Sequence, residues 1–255
     1  MFTTKKWAMA AMATITLLAN VSSAQADTLK IGSETVYPPF EFLDPTTGQY
    51  AGFDIDLIDA IAKKAGFEPQ IYSMGLDALI PAIMSETIDV AISALTITPE
   101  RAKKVDFTKP YYESGLTIMT HKDHVQKIRG TKDLEGKTLC VEIGSSGGLF
   151  SATIPGVKLR TFNSATEAFM EIDQRGCYAM INDKPVNEYF LASKQAKNMN
   201  LAEVKIVLSE DNYGFALKKG NDKLKTRLEK ALDEVVADGT YEKIYNKWFG
   251  PMMKK

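Results

Sequence analysis

Metal-ligating side chains and net charge are both scarce in this chain of 255 residues. It contains two Cys and two His, which are too few soft ligands for a zinc ribbon, an iron–sulfur cluster or a tris-histidine zinc site. The formal net charge is −1, whereas a nucleic-acid-binding surface requires a strongly basic balance. We therefore expect no metal, no cofactor and no nucleic-acid partner.

A long hydrophobic run is also missing. The apolar stretch Trp7–Ala19 has about 13 residues, fewer than the ~20 that cross a bilayer as a helix. It follows two lysines and precedes the small-x-small sequence Ala24-Gln25-Ala26, an order typical of a secretory signal peptide. We expect cleavage after Ala26. Because no Cys stands at the cleavage site, the exported chain is expected to carry no lipid anchor and not to be embedded in a membrane.

Export changes the interpretation of the two cysteines. Cys140 and Cys177 both lie in short apolar runs that resemble buried strands. In the cytosol two buried thiols would be expected, whereas exported pairs form a disulfide when their Cβ atoms come within about 4.5 Å. We expect a structural bond, since a catalytic one would need a Cys-x-x-Cys sequence. By the chain-entropy model, closing a loop of ~38 residues would stabilise the fold by roughly 4 kcal/mol.

Strand-like and helix-like segments alternate in two successive runs. In the first run strands are predicted at 29–32, 68–72 and 90–95, and helices at 53–65 and 76–85. In the second run strands are predicted at 138–143, 158–162 and 178–181, and helices after the turn 144–148, at 165–175 and at 185–194. Two helices, 222–237 and 241–248, close the chain. This order predicts two α/β lobes, each a mainly parallel sheet flanked by helices.

A candidate anion site follows the predicted strand that ends at Leu95. Thr98 is a good N-cap residue and starts a short helix whose first turn contains Arg101. Strand-end amides, hydroxyl groups and a helix N-terminus together favour an anion. The helix dipole disfavours a cation in the first turn, and a bound carboxylate would compensate for it. The alternative is a local ion pair of Arg101 with Glu100 or Asp106.

Three other segments contain candidate site residues. The Gly-rich segment 144–148 follows a strand and opens a helix, but it lacks the spacing and the Lys of a P-loop, and a tight turn is the alternative. Asp183 lies at the carboxyl end of a strand, where open α/β sheets place ligands, with a helix N-cap as the alternative. His121 and His124 stand in a charged segment and are predicted to be a solvated surface pair.

Five segments together resemble the bacterial extracellular solute-binding proteins of family 3, the periplasmic polar amino-acid receptors of ABC importers. These segments are 37–42, 52–57, 94–101, 105–112 and 238–249. The resemblance implies a type II periplasmic-binding-protein fold with two hinge crossovers near 114–120 and 211–217. Lobe 1 would contain residues 27–115 and 217–255, and lobe 2 residues 116–216. It also implies a monomer that closes on its ligand and docks to an inner-membrane ABC permease.

The resemblance assigns roles to single residues. Arg101 would hold the α-carboxylate of the ligand, with help from Thr96 and from Ser146 on the facing lobe. Asp183 would receive the α-ammonium, with help from the carbonyl and hydroxyl groups of Ala94 and Ser93. Tyr37 would form an aromatic wall over the ligand side chain. One fixed cation and one fixed anion on opposing lobes match a zwitterion.

Two acidic residues bear on which amino acid is bound. Glu34 matches the position that meets the distal end of the side chain in receptors for basic ligands, and Glu142 lies just before the Gly-rich turn. Two carboxylates in one pocket repel unless a cation lies between them, which favours Arg, Lys, ornithine or another diamino ligand. Glu at the first position also occurs with uncharged ligands, and an early cysteine pair found in some basic amino-acid receptors is absent. A small neutral or D-amino acid therefore remains an alternative.

Two rival functions share this fold or its ligands. The fold also hosts exported dehydratases that act on cyclohexadienyl acids, in which Glu34, Glu142 or Asp183 could serve as a general acid. A site that holds both an Arg and an Asp for a zwitterion favours binding, so we expect no enzymatic activity. A membrane receptor in the same chain is disfavoured, since no transmembrane segment is predicted after residue 26.

Overall fold

A computed structural model of the protein describes residues 27–251. These residues form two five-stranded sheets and a small three-stranded sheet, with helices packed around them. The predicted signal peptide, residues 1–26, lies outside the described residues. Between residues 27 and 251 no helix is both long and apolar enough to cross a membrane.

The elements follow the predicted alternation closely. The strands are β1 (Asp27–Ser33), β2 (Val36–Tyr37), β3 (Glu41–Leu43), β4 (Tyr50–Ala51), β5 (Phe67–Ser73), β6 (Val90–Ala91), β7 (Val105–Phe107), β8 (Tyr112–His121), β9 (Thr138–Glu142), β10 (Lys158–Phe162), β11 (Ala179–Asp183), β12 (Leu201–Tyr213) and β13 (Ala216–Lys218). The helices are α1 (Phe53–Ala65), α2 (Leu76–Met84), α3 (Pro99–Ala102), α4 (Ser146–Ser151), α5 (Ala165–Asp173), α6 (Lys184–Ala192), α7 (Asp222–Ala237) and α8 (Thr240–Phe249).

Each five-stranded sheet is the centre of one lobe. Lobe 1 has the strand order β5-β1-β6-β13-β7, and lobe 2 the order β10-β9-β11-β8-β12. In lobe 1, β1 runs parallel to β5 and β6, whereas β13 is antiparallel to β6 and β7. In lobe 2, β9 runs parallel to β10 and β11, whereas β8 is antiparallel to β11 and β12. The sheets are therefore mixed and not mainly parallel, because strands that carry the chain between the lobes join each sheet in the opposite direction.

Two long antiparallel strands connect the lobes. β8 and β12 pair from Tyr112↔Tyr213 at one end to His121↔Leu201 at the other. β8 includes the predicted crossover near 114–120, whereas the crossover predicted near 211–217 begins in the last residues of β12 and ends in β13. After β12 the chain returns to the sheet of lobe 1 in β13 and then forms α7 and α8, which pack on α1. The predicted lobe boundaries fall within β8 and at the start of β13, and they stay a prediction.

The packing of α1 shows how the hinge end of lobe 1 is built. The helix starts after Gly52, whose φ is 134°. A Cβ at Gly52 would lie 2.0 Å from the carbonyl oxygen of Phe40, so only glycine fits there. Phe40 in turn contacts Tyr112 and Tyr213 with ring centroids 5.0 and 5.3 Å apart. The segment of lobe 1 that contains Phe40 is thereby packed directly on the two hinge strands β8 and β12.

The strand that leads into the candidate anion site is shorter than predicted. The sequence predicts a strand over 90–95, but β6 ends at Ala91. Ala94 has a φ of 41°, and its N–H donates to Asp54 Oδ2 at 2.8 Å instead of to a neighbouring strand. A buried carboxylate thus diverts the backbone out of the sheet immediately before the site.

The predicted disulfide is confirmed. Cys140 on β9 is bonded to Cys177, which lies just before β11, with their Cα atoms 5.6 Å apart. Both residues are buried. The bond links segments next to two neighbouring strands of lobe 2 and lies away from the cleft, as expected of a structural role.

Candidate ligand-binding site

All nine predicted site residues line a single cavity between the lobes. Lobe 1 contributes Glu34, Tyr37, Ser93, Ala94, Thr96 and Arg101, and lobe 2 contributes Glu142, Ser146 and Asp183. Two further residues, Leu76 and Ser145, line the cavity without being among the predicted site residues. Ser145 stood within the Gly-rich turn and caps α4 by accepting the Gly148 N–H at 3.0 Å. Leu76 begins α2, and only the placement of that helix brings it to the cavity.

The guanidinium of Arg101 is buried without a carboxylate partner. Thr98 caps α3, as predicted, by accepting the Arg101 N–H at 3.1 Å. Arg101 Nη1 donates to the carbonyl of Thr96 at 2.8 Å, and Nη2 donates to the carbonyl of Gly144 at 2.9 Å. Within residues 27–251 it forms no ion pair, so the alternative of a local pair with Glu100 or Asp106 is wrong. Burial lowers the pKa of Arg101, and an anion beside it would offset this cost.

Asp183 occupies the N-cap position of α6 but does not cap it. Its side chain makes no capping hydrogen bond, and the alternative interpretation of a simple N-cap is therefore wrong. Instead, Oδ2 accepts the Tyr37 hydroxyl at 2.5 Å, and Oδ1 accepts the Ser114 hydroxyl at 3.5 Å. Burial raises the pKa of Asp183 to about 6, although the hydroxyl of Tyr37 opposes the shift. The carboxylate is thus held at the cavity by neutral donors, with no bound cation of its own.

The lobes are closed on one another in this structure. Tyr37 of lobe 1 reaches Asp183 of lobe 2, and Arg101 reaches the Gly144 carbonyl. The hydroxyls of Thr96 and Ser146 lie 3.2 Å apart. A close approach of backbones supports this arrangement on the side of lobe 2, because a Cβ at Gly147 would lie 2.1 Å from the Ile181 carbonyl oxygen. The N-terminus of α4 therefore sits directly against β11 and faces the cleft.

Two carboxyl groups from opposite lobes also line this cavity. Glu34 follows β1, and Glu142 is the last residue of β9, so the pair spans the two lobes. Both side chains are buried, and each lies close enough to the other to shift its pKa. Burial is the main reason that the pKa of Glu34 is raised to about 7 and that of Glu142 well above its ordinary value. Such a contact requires a proton or a cation between the two groups.

A second carboxyl pair lies next to Glu34 and is not among the predicted site residues. Glu41 on β3 and Asp54 on α1 are fully buried, and each lies close enough to the other to shift its pKa. Glu41 Oε1 accepts the Ser93 hydroxyl at 2.9 Å, and the Ser93 oxygen accepts the Glu34 N–H at 3.0 Å. Asp54 also accepts the Tyr111 hydroxyl at 2.8 Å. Both acids stood in segments that carried the family resemblance, which was the one signal available for them.

The sequence and the fold were compared with those of known proteins. Residues 29–251 match the family of bacterial extracellular solute-binding proteins, family 3. The arginine-binding extracellular protein ArtP of Bacillus subtilis is 33% identical over 96% of this chain and 98% of its own. The solved structure of an ancestral arginine-binding protein bound to arginine is 41% identical, with a TM-score of 0.83 over 88% of this chain and 98% of that one.

A third relative bears on the enzymatic alternative. The ancestral amino acid-binding protein AncCDT-1, described as a precursor of cyclohexadienyl dehydratase, is 38% identical to this chain. Its structure superposes with a TM-score of 0.79 over 87% of this chain and 95% of its own. The match to the family model, the sequence relatives and the solved structures agree on the two-lobed type II fold. The chain therefore belongs to the bacterial extracellular solute-binding proteins of family 3.

Proposed function

We propose that the protein captures a free amino acid, preferably one with a cationic side chain, and delivers it to an ABC permease by closure of its two lobes. The observation that carries the proposal is the pair of unmatched charges, Arg101 and Asp183, which face one buried cavity from opposite lobes. A buried cation and a buried anion without ion-pair partners match the carboxylate and the ammonium of a zwitterion.

The groups around these two charges suit the same ligand. Thr96 and Ser146 place hydroxyl groups next to Arg101, where they would donate to the ligand carboxylate. Near Asp183, the Ala94 carbonyl and a lone pair of the Ser93 hydroxyl would accept from the ammonium. The Ser93 proton itself is engaged by Glu41. The ring of Tyr37 would cover the ligand while its hydroxyl holds Asp183 in place.

The two acidic residues of the cavity select the ligand side chain. Glu34 and Glu142 form a buried acidic pair, and within residues 27–251 no Lys or Arg forms an ion pair with either. A guanidinium or ammonium placed between them would replace their repulsion by two charge-assisted hydrogen bonds. The relatives named for arginine agree with a cationic ligand. A neutral or D-amino acid remains the alternative.

The cellular role follows from the family. Members are extracellular, which agrees with export by the predicted signal peptide and release into the periplasm after cleavage at Ala26. The protein would act there as a monomer. Contacts such as Arg101 to Gly144 and Tyr37 to Asp183 join the lobes only when they are closed. The permease would therefore distinguish the loaded form by the surface that closure creates.

Dehydration of a cyclohexadienyl acid is the second candidate function. The raised pKa of Glu34 would keep a proton on this carboxyl near neutral pH, as a general acid requires. The relative AncCDT-1 is named both as an amino acid-binding protein and as the precursor of such an enzyme. Incubation with prephenate or arogenate decides between the two functions, and formation of an aromatic product would overturn the binding proposal.

Two measurements on refolded, ligand-free protein test the proposal. A thermal-shift screen of L- and D-amino acids should single out one ligand class, since bound ligand adds RT ln(1 + [L]/Kd) of stability. Substitution Arg101→Ala should weaken binding of that ligand by several kcal/mol, on the order of a thousandfold, because it leaves a buried carboxylate unpaired. The exposed Arg129, which does not line the cavity, supplies the control Arg129→Ala. Equal affinities for the two variants would refute the site.

A further inference from the structure

We propose that closure of the lobes requires one positive charge between Glu34 and Glu142, and that a proton supplies this charge whenever the ligand side chain is neutral. The inference rests on the proposed function and deepens it. It makes the Glu34–Glu142 pair the determinant of ligand specificity and makes the preference for cationic over neutral ligands depend on pH.

The geometry of the pair carries the inference. Glu34 belongs to lobe 1 and Glu142 to lobe 2, and each is 3% exposed or less in the closed protein. No N–H or O–H group of the described residues donates to Oε1 of either carboxyl. Two neighbouring carboxyl groups that line one cavity and are buried without such a donor need one between them, because an ionised carboxylate only accepts. In the closed state that donor is a proton, or it is a cationic group of the ligand.

The surroundings of the pair add negative and not positive charge. Asp77 on α2 and Glu41 on β3 face Glu34, and Asp183 faces Glu142. Tyr37 also faces Glu142 and stays neutral, since burial raises the pKa of its hydroxyl well above the ordinary value. Arg101 lines the same cavity, but its guanidinium donates to the carbonyls of Thr96 and Gly144. No neighbouring side chain therefore relieves the repulsion within the pair.

Backbone N–H groups relieve the repulsion between Glu34 and Glu142 only in part. The N–H of Leu76, at the start of α2, lowers the pKa of Glu34, and the N–H of Ala165, at the start of α5, lowers that of Glu142. Both contacts favour the ionised carboxylates, as expected at helix N-termini. Burial outweighs them, because the pKa of each carboxyl is raised despite these donors. The closed pair consequently holds a proton at a pH where separated, solvated carboxyls have lost it.

A thermodynamic linkage follows from this difference. With the lobes apart, both carboxyls are solvated and ionise near their ordinary pKa of about 4.5. Closure on a neutral side chain then takes up one proton, whereas closure on a cation takes up none. Because the closed form with a neutral ligand binds more protons, its stabilisation is complete below about pH 4.5 and is lost as the pH rises through the raised pKa values. Affinity for a neutral ligand should fall as the pH increases.

L-Arginine and L-citrulline are the matched probes. They share the α-carboxylate, the α-ammonium and nearly the same shape, but the guanidinium of arginine is charged and the ureido group of citrulline is neutral. We expect the ratio of their Kd values, citrulline over arginine, to increase by about tenfold per pH unit, or roughly 100- to 1000-fold from about pH 5.5 to about pH 8.5. Titration of Asp183 affects both ligands and cancels in the ratio.

Isothermal titration calorimetry in buffers of different ionisation enthalpy counts the protons that are taken up when each ligand binds. Binding of citrulline should take up about one proton, and binding of arginine none. The variants Glu34→Gln and Glu142→Gln keep the shape of the side chain and supply an N–H donor in place of the proton. Each should bind citrulline with little dependence on pH and should lose at least tenfold in arginine affinity. Thermal unfolding of both variants checks that they remain folded.

The possible outcomes separate this inference from the function on which it rests. A pH-independent ratio in the wild-type protein, with both ligands bound, overturns the proton requirement and leaves amino-acid binding intact. Arginine binding with no measurable citrulline binding at about pH 5.5 also overturns it. Failure to bind any amino acid refutes the proposed function itself. A rising ratio that becomes flat in both Gln variants supports the inference.

Discussion

Two neighbouring pairs of carboxyl groups are buried in this protein, and they differ in how they are assembled. Glu41 and Asp54 both belong to lobe 1, so their contact exists whether or not the lobes are closed. Glu34 and Glu142 come from different lobes and meet only on closure. The contact between the two carboxyl groups is therefore permanent in the first pair and depends on lobe closure in the second. We call Glu41 and Asp54 the permanent pair, and Glu34 and Glu142 the conditional pair.

Their hydrogen-bond partners differ in the same way. The permanent pair accepts from groups that lobe 1 itself provides: the Ser93 hydroxyl, the Ala94 N–H and the Tyr111 hydroxyl. These bonds hold Ala94 at its positive φ of 41°, next to the cavity. In both pairs one oxygen of each carboxyl is buried without a donor. The difference is that no side-chain hydroxyl of the described residues donates to Glu34 or Glu142, whereas Glu41 and Asp54 each accept one. The comparison indicates that Glu41 and Asp54 shape the site, whereas Glu34 and Glu142 respond to what enters it.

Replacing one residue of each pair by Ala should give the largest difference between the pairs, measured as the loss in free energy of unfolding. Asp54→Ala leaves the Ala94 N–H and the Tyr111 hydroxyl buried without partners and should lower the free energy of unfolding by about 2–5 kcal/mol. Glu142→Ala should change it by less than about 1 kcal/mol in ligand-free protein, where Glu142 is solvated when the lobes open. Urea unfolding followed by circular dichroism measures both. Similar losses in the two variants would contradict the comparison.

The two pairs should also differ, by a smaller amount, in how they make the free energy of unfolding depend on pH. Burial raises the pKa of Asp54 to about 7 and that of Glu41 well above its ordinary value. The folded protein therefore binds more protons than the unfolded chain. Its stability is greatest below the ordinary carboxyl pKa, and we expect it to fall by roughly 1–3 kcal/mol between about pH 5 and about pH 8.

Two amide variants locate the source of this slope. In ligand-free protein Glu41→Gln should flatten the decline in unfolding free energy with pH, because it removes one member of the permanent pair. Glu34→Gln should leave the decline unchanged, since the conditional pair is separated in the open form. A slope that disappears in Glu34→Gln, and persists in Glu41→Gln, would reverse the roles assigned to the two pairs.

Much of the fold could be predicted because hydrophobic periodicity and turn residues dominate it locally. Helices α1 and α7 and strand β10 have the predicted bounds. The errors arose where a distant contact overrides the local pattern. β6 is shorter because Asp54 captures the Ala94 N–H. His121 was predicted to be solvated, but it ends the long hinge strand β8, pairs with Leu201 and is buried.

In the candidate site, too, some residues could be predicted from the local sequence, whereas others depend on distant contacts. The residues at strand ends and helix starts, such as Arg101 and Asp183, could be selected because those positions carry functional groups in open α/β sheets. The structure brings all nine selected residues to one cavity. Glu41 and Asp54 escaped selection because an acid in a short strand or in the first turn of a helix is ordinarily solvated. Only the packing of lobe 1 buries them together.

The crystal structure of the protein with L-arginine tests the central claim most directly. The account predicts that the guanidinium of Arg101 contacts the α-carboxylate of the ligand, that Asp183 accepts from its α-ammonium, and that its side-chain cation lies between Glu34 and Glu142. A ligand bound in the reverse orientation, with its α-carboxylate away from Arg101, or bound outside this cavity, would contradict it.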